Sequence, residues 1–95
     1  MTDKQNFKAE VERQIDYWTA EIAKFRIIAE VAHPDEQIEF YQIIEAIVEK
    51  EHAVRKKLAA FDESDADDLS GLKNEIGYLE QQVDKAIEDA RFKVN

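Results

Sequence analysis

An all-α fold, an antiparallel up-down-up three-helix coiled-coil bundle, is what this sequence predicts, and three observations lead there. Apolar residues recur in alternating steps of four and three along three separate stretches. That 3.5-residue period keeps one stripe of an α-helix against a partner helix. The only proline, Pro34, and the acidic run Asp62–Asp68 separate the stretches and divide the chain into thirds. A charged fraction of 37% with two glycines and one proline suits long helices. The 95 residues make one domain, with helices expected over about 3–32, 35–61 and 65–94. A chain of this size buries only about 60–65% of its unfolded surface, so each seam position counts.

The first helix carries the seam Val11, Ile15, Trp18, Ile22, Phe25, Ala29 and Ala32. Its outer face mixes acids and bases, as in Glu10 with Arg13 and Glu21 with Lys24, a solvated pattern. It should stop at His33-Pro34. Proline has no N–H to donate, and it pushes the residue before it out of the helical region. The same proline suits the first position of a new helix, with Asp35 and Glu36 placed to meet the positive end of its dipole. A tight reversal between antiparallel helices follows; the alternative is one kinked helix running through Pro34.

The second helix organises the chain. Its seam is Phe40, Ile44, Ile47, Glu51, Val54, Leu58 and Phe61, and Tyr41, Ile43 and Val48 widen the stripe. A middle helix that touches two partners needs that width. Glu51 is the one seam residue that is not apolar. A buried unpaired carboxylate costs several kcal/mol, so Glu51 must find a partner or reach water. Matching levels from the two turns places it near Trp18 and near Gly77-Tyr78, and the Trp18 indole or Tyr78 hydroxyl is the expected partner.

The second turn spans residues 62–68, where Ser64 with Asp67 resembles a capping box and Asp62 is another capping candidate. The same run lacks the glycine and glutamate spacing of a calcium-binding EF-hand loop. The third helix carries Leu69, Leu72, Ile76, Leu79, Val83, Ala86 and Ala90 on its seam and ends in Arg91 and Lys93. Gly71 and Gly77 lie off that seam and read as tolerated. The 3.5-residue period predicts a short left-handed supercoil for the whole.

Several stretches together resemble a known group. These are Ile15-Asp-Tyr-Trp18-Thr-Ala-Glu-Ile22, Val54-Arg-Lys-Lys-Leu58-Ala-Ala-Phe61, the acidic turn, and Leu69-Ser-Gly-Leu72. The pattern is similar to the short bacterial coiled-coil proteins sometimes described as apolipoprotein-like. The resemblance covers nearly the whole chain and implies a helical coiled-coil protein with no established activity. It brings no functional residues with it.

Charge narrows the partners. The net charge of −9 divides into −1 for residues 1–32, −2 for 33–61 and −6 for 62–95. Phosphate affinity rests on Lys and Arg, so nucleic-acid binding is disfavoured, and an anionic membrane surface repels the chain likewise. There is no cysteine to form a disulfide or a thiolate metal site. The start, MTDKQNFKAE, lacks the basic and apolar regions of a signal peptide, so the expected location is cytoplasmic.

Catalytic constellations fare poorly. Glu30 with His33 and Glu49 with His52 repeat the Glu-x-x-His spacing of di-iron bundles. The heptad phase puts all four off the seam, however, and an antiparallel hairpin separates the pairs by on the order of 20 Å. No nucleophile sits near a histidine, and no glycine loop cradles phosphate. The expectation is therefore a protein with no enzyme activity, no metal and no cofactor.

Interaction remains, in two forms. The first is a scaffold or adaptor acting through protein–protein contact or self-assembly; the alternative is an amphipathic protein that binds lipid surfaces, as the apolipoprotein comparison suggests. Interfacial helices carry Lys and Arg on their polar face, whereas this chain carries excess acid, which favours the first. Ile27, Val31, Ile38, Ile43 and Phe92 are apolar residues that the seams leave over, all near the His33-Pro34 end. Surplus apolar surface of that kind marks an interface, and two-fold dimers are the commonest closed assembly. A homodimer through this end is expected, with a domain-swapped bundle as a variant and a monomer as the alternative.

Overall fold

The structure, a computed structural model, describes residues 2–65 and 69–94. Three helices, α1 (Asp3–Val31), α2 (Pro34–Glu63) and α3 (Ser70–Val94), form an all-α bundle measuring 52 × 20 × 19 Å. Cross-contacts fix the directions. Lys8 meets Asp62 and Thr19 meets Glu51, so α2 descends along α1. On α3, Lys73 lies over the Phe7 ring, Asp84 meets Trp18 and Arg91 meets Glu21, so α3 ascends beside α1. The topology is up-down-up, with α2 packed on both neighbours and α1 close to α3 at few points.

Local chemistry sets the helix ends. At the start of α1, the Thr2 hydroxyl accepts the Gln5 N–H at 3.1 Å while Gln5 Oε1 accepts the Thr2 N–H at 3.2 Å. This capping box satisfies two donors that would otherwise be orphaned. Ala32 turns to extended backbone, His33 caps α2 by accepting the Asp35 N–H on Nδ1, and Pro34 opens the helix. The chain does reverse there.

The second turn departs from expectation. Helix α2 continues beyond Phe61 to Glu63, and Ser64, expected as a cap for α3, is instead the C-cap of α2. Lys4 supplies the physical reason. Its ammonium donates to the carbonyls of Asp62 and Ser64 at 2.9 and 2.8 Å, satisfying acceptors that a helix end leaves open. Helix α3 starts at Ser70 rather than near Asp65, with the Lys73 N–H bonded to the Leu69 carbonyl. Asp67, the other half of the expected capping pair, lies outside the described residues.

The core follows the seams closely. Val11, Ile15, Trp18, Ile22, Phe25 and Ala29 are buried on α1, and Ile44, Ile47, Val54, Leu58 and Phe61 on α2. On α3 the buried set is Ile76, Val83, Ile87 and Ala90, while Leu72, Leu79 and Ala86, with Leu69 just before the helix, are half-buried. Ile87 is the correction, since the strict period assigns that level to Ala86. A straight α-helix drifts about 20° per heptad against a 3.5-residue repeat, and over three heptads the drift rotates Ile87 inward. The Phe7 and Phe61 rings, 4.9 Å apart, close the core at the second-turn end. No helix among the described residues is long and apolar enough to cross a membrane.

Candidate interaction surface

Four of the five surplus apolar residues are exposed. Ile27 is 62% exposed, Val31 81%, Ile38 71% and Phe92 81%, whereas Ile43 is half-buried against the core. Successive helical residues rotate by about 100°, which puts Ile27 and Val31 opposite the Trp18–Ala29 stripe of α1. Ile38 and Phe92 likewise stand opposite the buried stripes of α2 and α3. Ile43 lies on the flank of α2 that faces α3, which explains its burial. The four exposed side chains share one end of the bundle but occupy the outward faces of three helices. They form a collar around the His33-Pro34 end, and only Ile27 and Val31, one turn apart, lie together on α1.

Among the described residues, polar bridges join α1 to α3 at two levels. Glu21, read in the sequence as a solvated partner of Lys24, is buried instead. Arg91 donates to its carboxylate and to the Tyr17 hydroxyl, the latter at 2.7 Å, and Lys24 Nζ stands 3.6 Å away. Burial alone raises the pKa of Glu21. Hydrogen bonds from Tyr17 and Arg91, with the charges of Arg91 and Lys24, outweigh it and leave the carboxyl below its ordinary value. The sequence signal was present but weak: Glu21 directly precedes the seam residue Ile22, and Arg91 follows the seam residue Ala90.

The second bridge runs from Trp18 Nε1 to Asp84 Oδ1 at 2.8 Å. One turn before Asp84, Glu80 lines a surface cleft with Glu10, Arg13 and Gln14 of α1. Burial, then the charges of Asp84 and Glu10, push the Glu80 carboxyl above its ordinary value.

Glu51 is buried, 7% exposed, and its partners differ from those expected. Arg55, one turn on in α2, donates from Nε and Nη2 at 2.9 and 2.7 Å, and the Thr19 hydroxyl lies 3.4 Å away. Glu51 sits on the flank of α2 that faces Thr19, while the Trp18 indole edge turns to α3; Tyr78 is exposed. The level on α1 matches the expectation, since Thr19 adjoins Trp18; the level on α3 does not, since Asp84 rather than Gly77-Tyr78 meets Trp18, and the direction around the bundle differs as well. Among the described residues no buried side-chain nitrogen or oxygen lacks a hydrogen-bond partner.

The two Glu-x-x-His pairs stay apart. His33 is exposed at the first turn, where it caps α2, and His52 is exposed midway along α2. Among the described residues no three His, Cys, Asp or Glu side chains are grouped to hold a metal ion. Comparison of the chain with protein-family models, with characterised proteins and with solved structures finds no match.

Proposed function

We propose that this protein is a non-enzymatic scaffold or adaptor that works by protein–protein association, first of all by forming a homodimer. One observation carries the reading. The bundle closes its own core, with Trp18, Ile47, Val54 and Phe61 fully buried, and still exposes Ile27, Val31, Ile38 and Phe92 at one end. Each such side chain gains about 1.5–3 kcal/mol when fully buried, so a partner that covers several has a driving force. The net charge of −9 supports a protein partner over a polyanion.

Sedimentation equilibrium at tens of micromolar tests the reading. The wild type is expected to be dimeric, and Ile27→Glu with Val31→Glu monomeric with unchanged helix content. A monomeric wild type, or a double variant as dimeric as its parent, overturns it.

A further inference from the structure

Resting on that self-association reading, we propose that the dimer contact is the outward face of α1 against the same face of a second copy, with the two helices parallel. Continuity of apolar surface selects the helix. Exposed Ala20 and Ala23 extend the Ile27–Val31 face toward the N-terminus of α1. Ile38, by contrast, is followed at helical spacing on α2 by Gln42, Glu45 and Glu49, and Phe92 is preceded on α3 by Lys85, Glu88 and Asp89.

Net charge selects the same helix. Residues 1–32 hold five bases against six acids, whereas residues 62–95 hold four against ten. Two copies of a chain with charge −9 meet with least repulsion through their nearly neutral first helix.

The flanks of α1 select the direction. Glu12 and Asp16, the acids beside the Ala20–Val31 stripe, line a cleft with Arg55 and Ala59, so they border that stripe on its α2 side, with Lys8 in the same cleft and tied to Asp62. Arg13 lines the cleft with Glu80 of α3, and Lys24 reaches the carboxylate that Arg91 of α3 holds, so these two bases border the stripe on its other side. A two-fold axis along the helices turns each basic flank toward the partner's acidic flank, the cross-pairing that parallel coiled coils use. Antiparallel packing sets like flank on like flank, placing acid against acid.

The chain has no cysteine, which makes site-specific cross-linking unambiguous. Ala20→Cys, Val31→Cys and, as a control on the outward face of α3, Lys85→Cys are each oxidised at tens of micromolar beside sedimentation of the wild type. A disulfide needs Cα atoms within about 7 Å, so in a parallel dimer each seam cysteine meets its own copy. The expected result is covalent dimer from Ala20→Cys and from Val31→Cys alone, at least tenfold above Lys85→Cys. Cross-linking only in a mixture of the first two variants overturns the parallel direction. A dimeric wild type with no cross-link from either, or with Lys85→Cys as reactive as both, overturns the α1 face and leaves self-association standing. A monomeric wild type removes both proposals.

Discussion

Trp18 Nε1 donates to Asp84 Oδ1 at 2.8 Å, tying a fully buried side chain of α1 to an exposed acid on α3. These two helices approach each other at few points, so single polar contacts weigh more on their spacing than elsewhere in the bundle. The indole N–H has no water to turn to inside the core. Asp84 therefore acts as a lid on the tryptophan as well as its acceptor.

Asp84→Ala removes lid and charged acceptor together and opens the Trp18 N–H to water, so the expected cost is that of the lost charge-assisted bond, about 1.5–3 kcal/mol. Asp84→Asn keeps an acceptor oxygen and is expected to lose less than half as much. Urea denaturation of both variants checks the difference, with Trp18 fluorescence as an independent probe of the environment.

The contrast between core and bridges shows what a linear pattern can carry. Period alone locates Val11 through Ala29 and Ile44 through Phe61, because burial repeats along the chain with the turn of the helix. Pro34 marks the first reversal through backbone chemistry that belongs to that residue alone. Glu21 with Arg91 and Trp18 with Asp84 join residues far apart in sequence, and each depends on which flank of one helix meets which flank of another. Ile87 was missed for a related reason, since its place depends on helical drift accumulated over several turns. The collar is legible in part: surplus apolar residues can be listed from the seams, but their directions around the bundle need the packed helices.

Glu51 yields a second prediction. Removing Arg55 leaves a buried carboxylate without its main donor, so Arg55→Ala is expected to destabilise the fold by about 1–3 kcal/mol. Glu51→Leu frees Arg55, already half in solvent, and fills a seam position with apolar volume; it should leave stability unchanged or raise it. Glu51→Leu with Arg55→Ala should lie close to Glu51→Leu alone, because the coupled partner is already gone. A double-mutant cycle measured by denaturant midpoint decides, and a loss above about 1.5 kcal/mol for Glu51→Leu contradicts the account.

Gly77 offers a gain. It lies inside α3, and a Cβ built there meets nothing within 4 Å. Glycine in a helix interior costs about 1 kcal/mol relative to alanine through the freedom of the unfolded chain. Gly77→Ala is expected to recover most of that, raising the melting temperature by about 4–8 °C in a domain of this size. Calorimetry showing no rise would mean that α3 is not continuous helix at this position.

The last prediction concerns acid, because the α1–α3 seam holds two carboxylates whose pKa values move in opposite directions. Glu21 is held below its ordinary value of 4.5 by Arg91, Tyr17 and Lys24 against the opposing effect of burial. Its contribution to stability is therefore fully present above about that value, and is lost as pH falls through the depressed folded-state pKa. Glu80 is raised above 4.5 by burial and then by Asp84 and Glu10, so the folded state holds its proton more tightly than the unfolded chain. Stability from this group is present below 4.5 and declines as pH rises through the raised folded-state value, where Glu80 ionises beside two other acids. The contribution of Glu80 should accordingly weaken from the mildly acidic side toward neutrality. Glu80→Gln removes the ionisation without removing the side chain's bulk. Its denaturation midpoint is expected to exceed that of the wild type between about pH 6 and 8 and to converge with it near pH 4. A Glu80→Gln variant that gains equally at both ends would locate its effect in packing, and one that gains nowhere would show that Glu10 and Asp84 do not oppose Glu80 in solution.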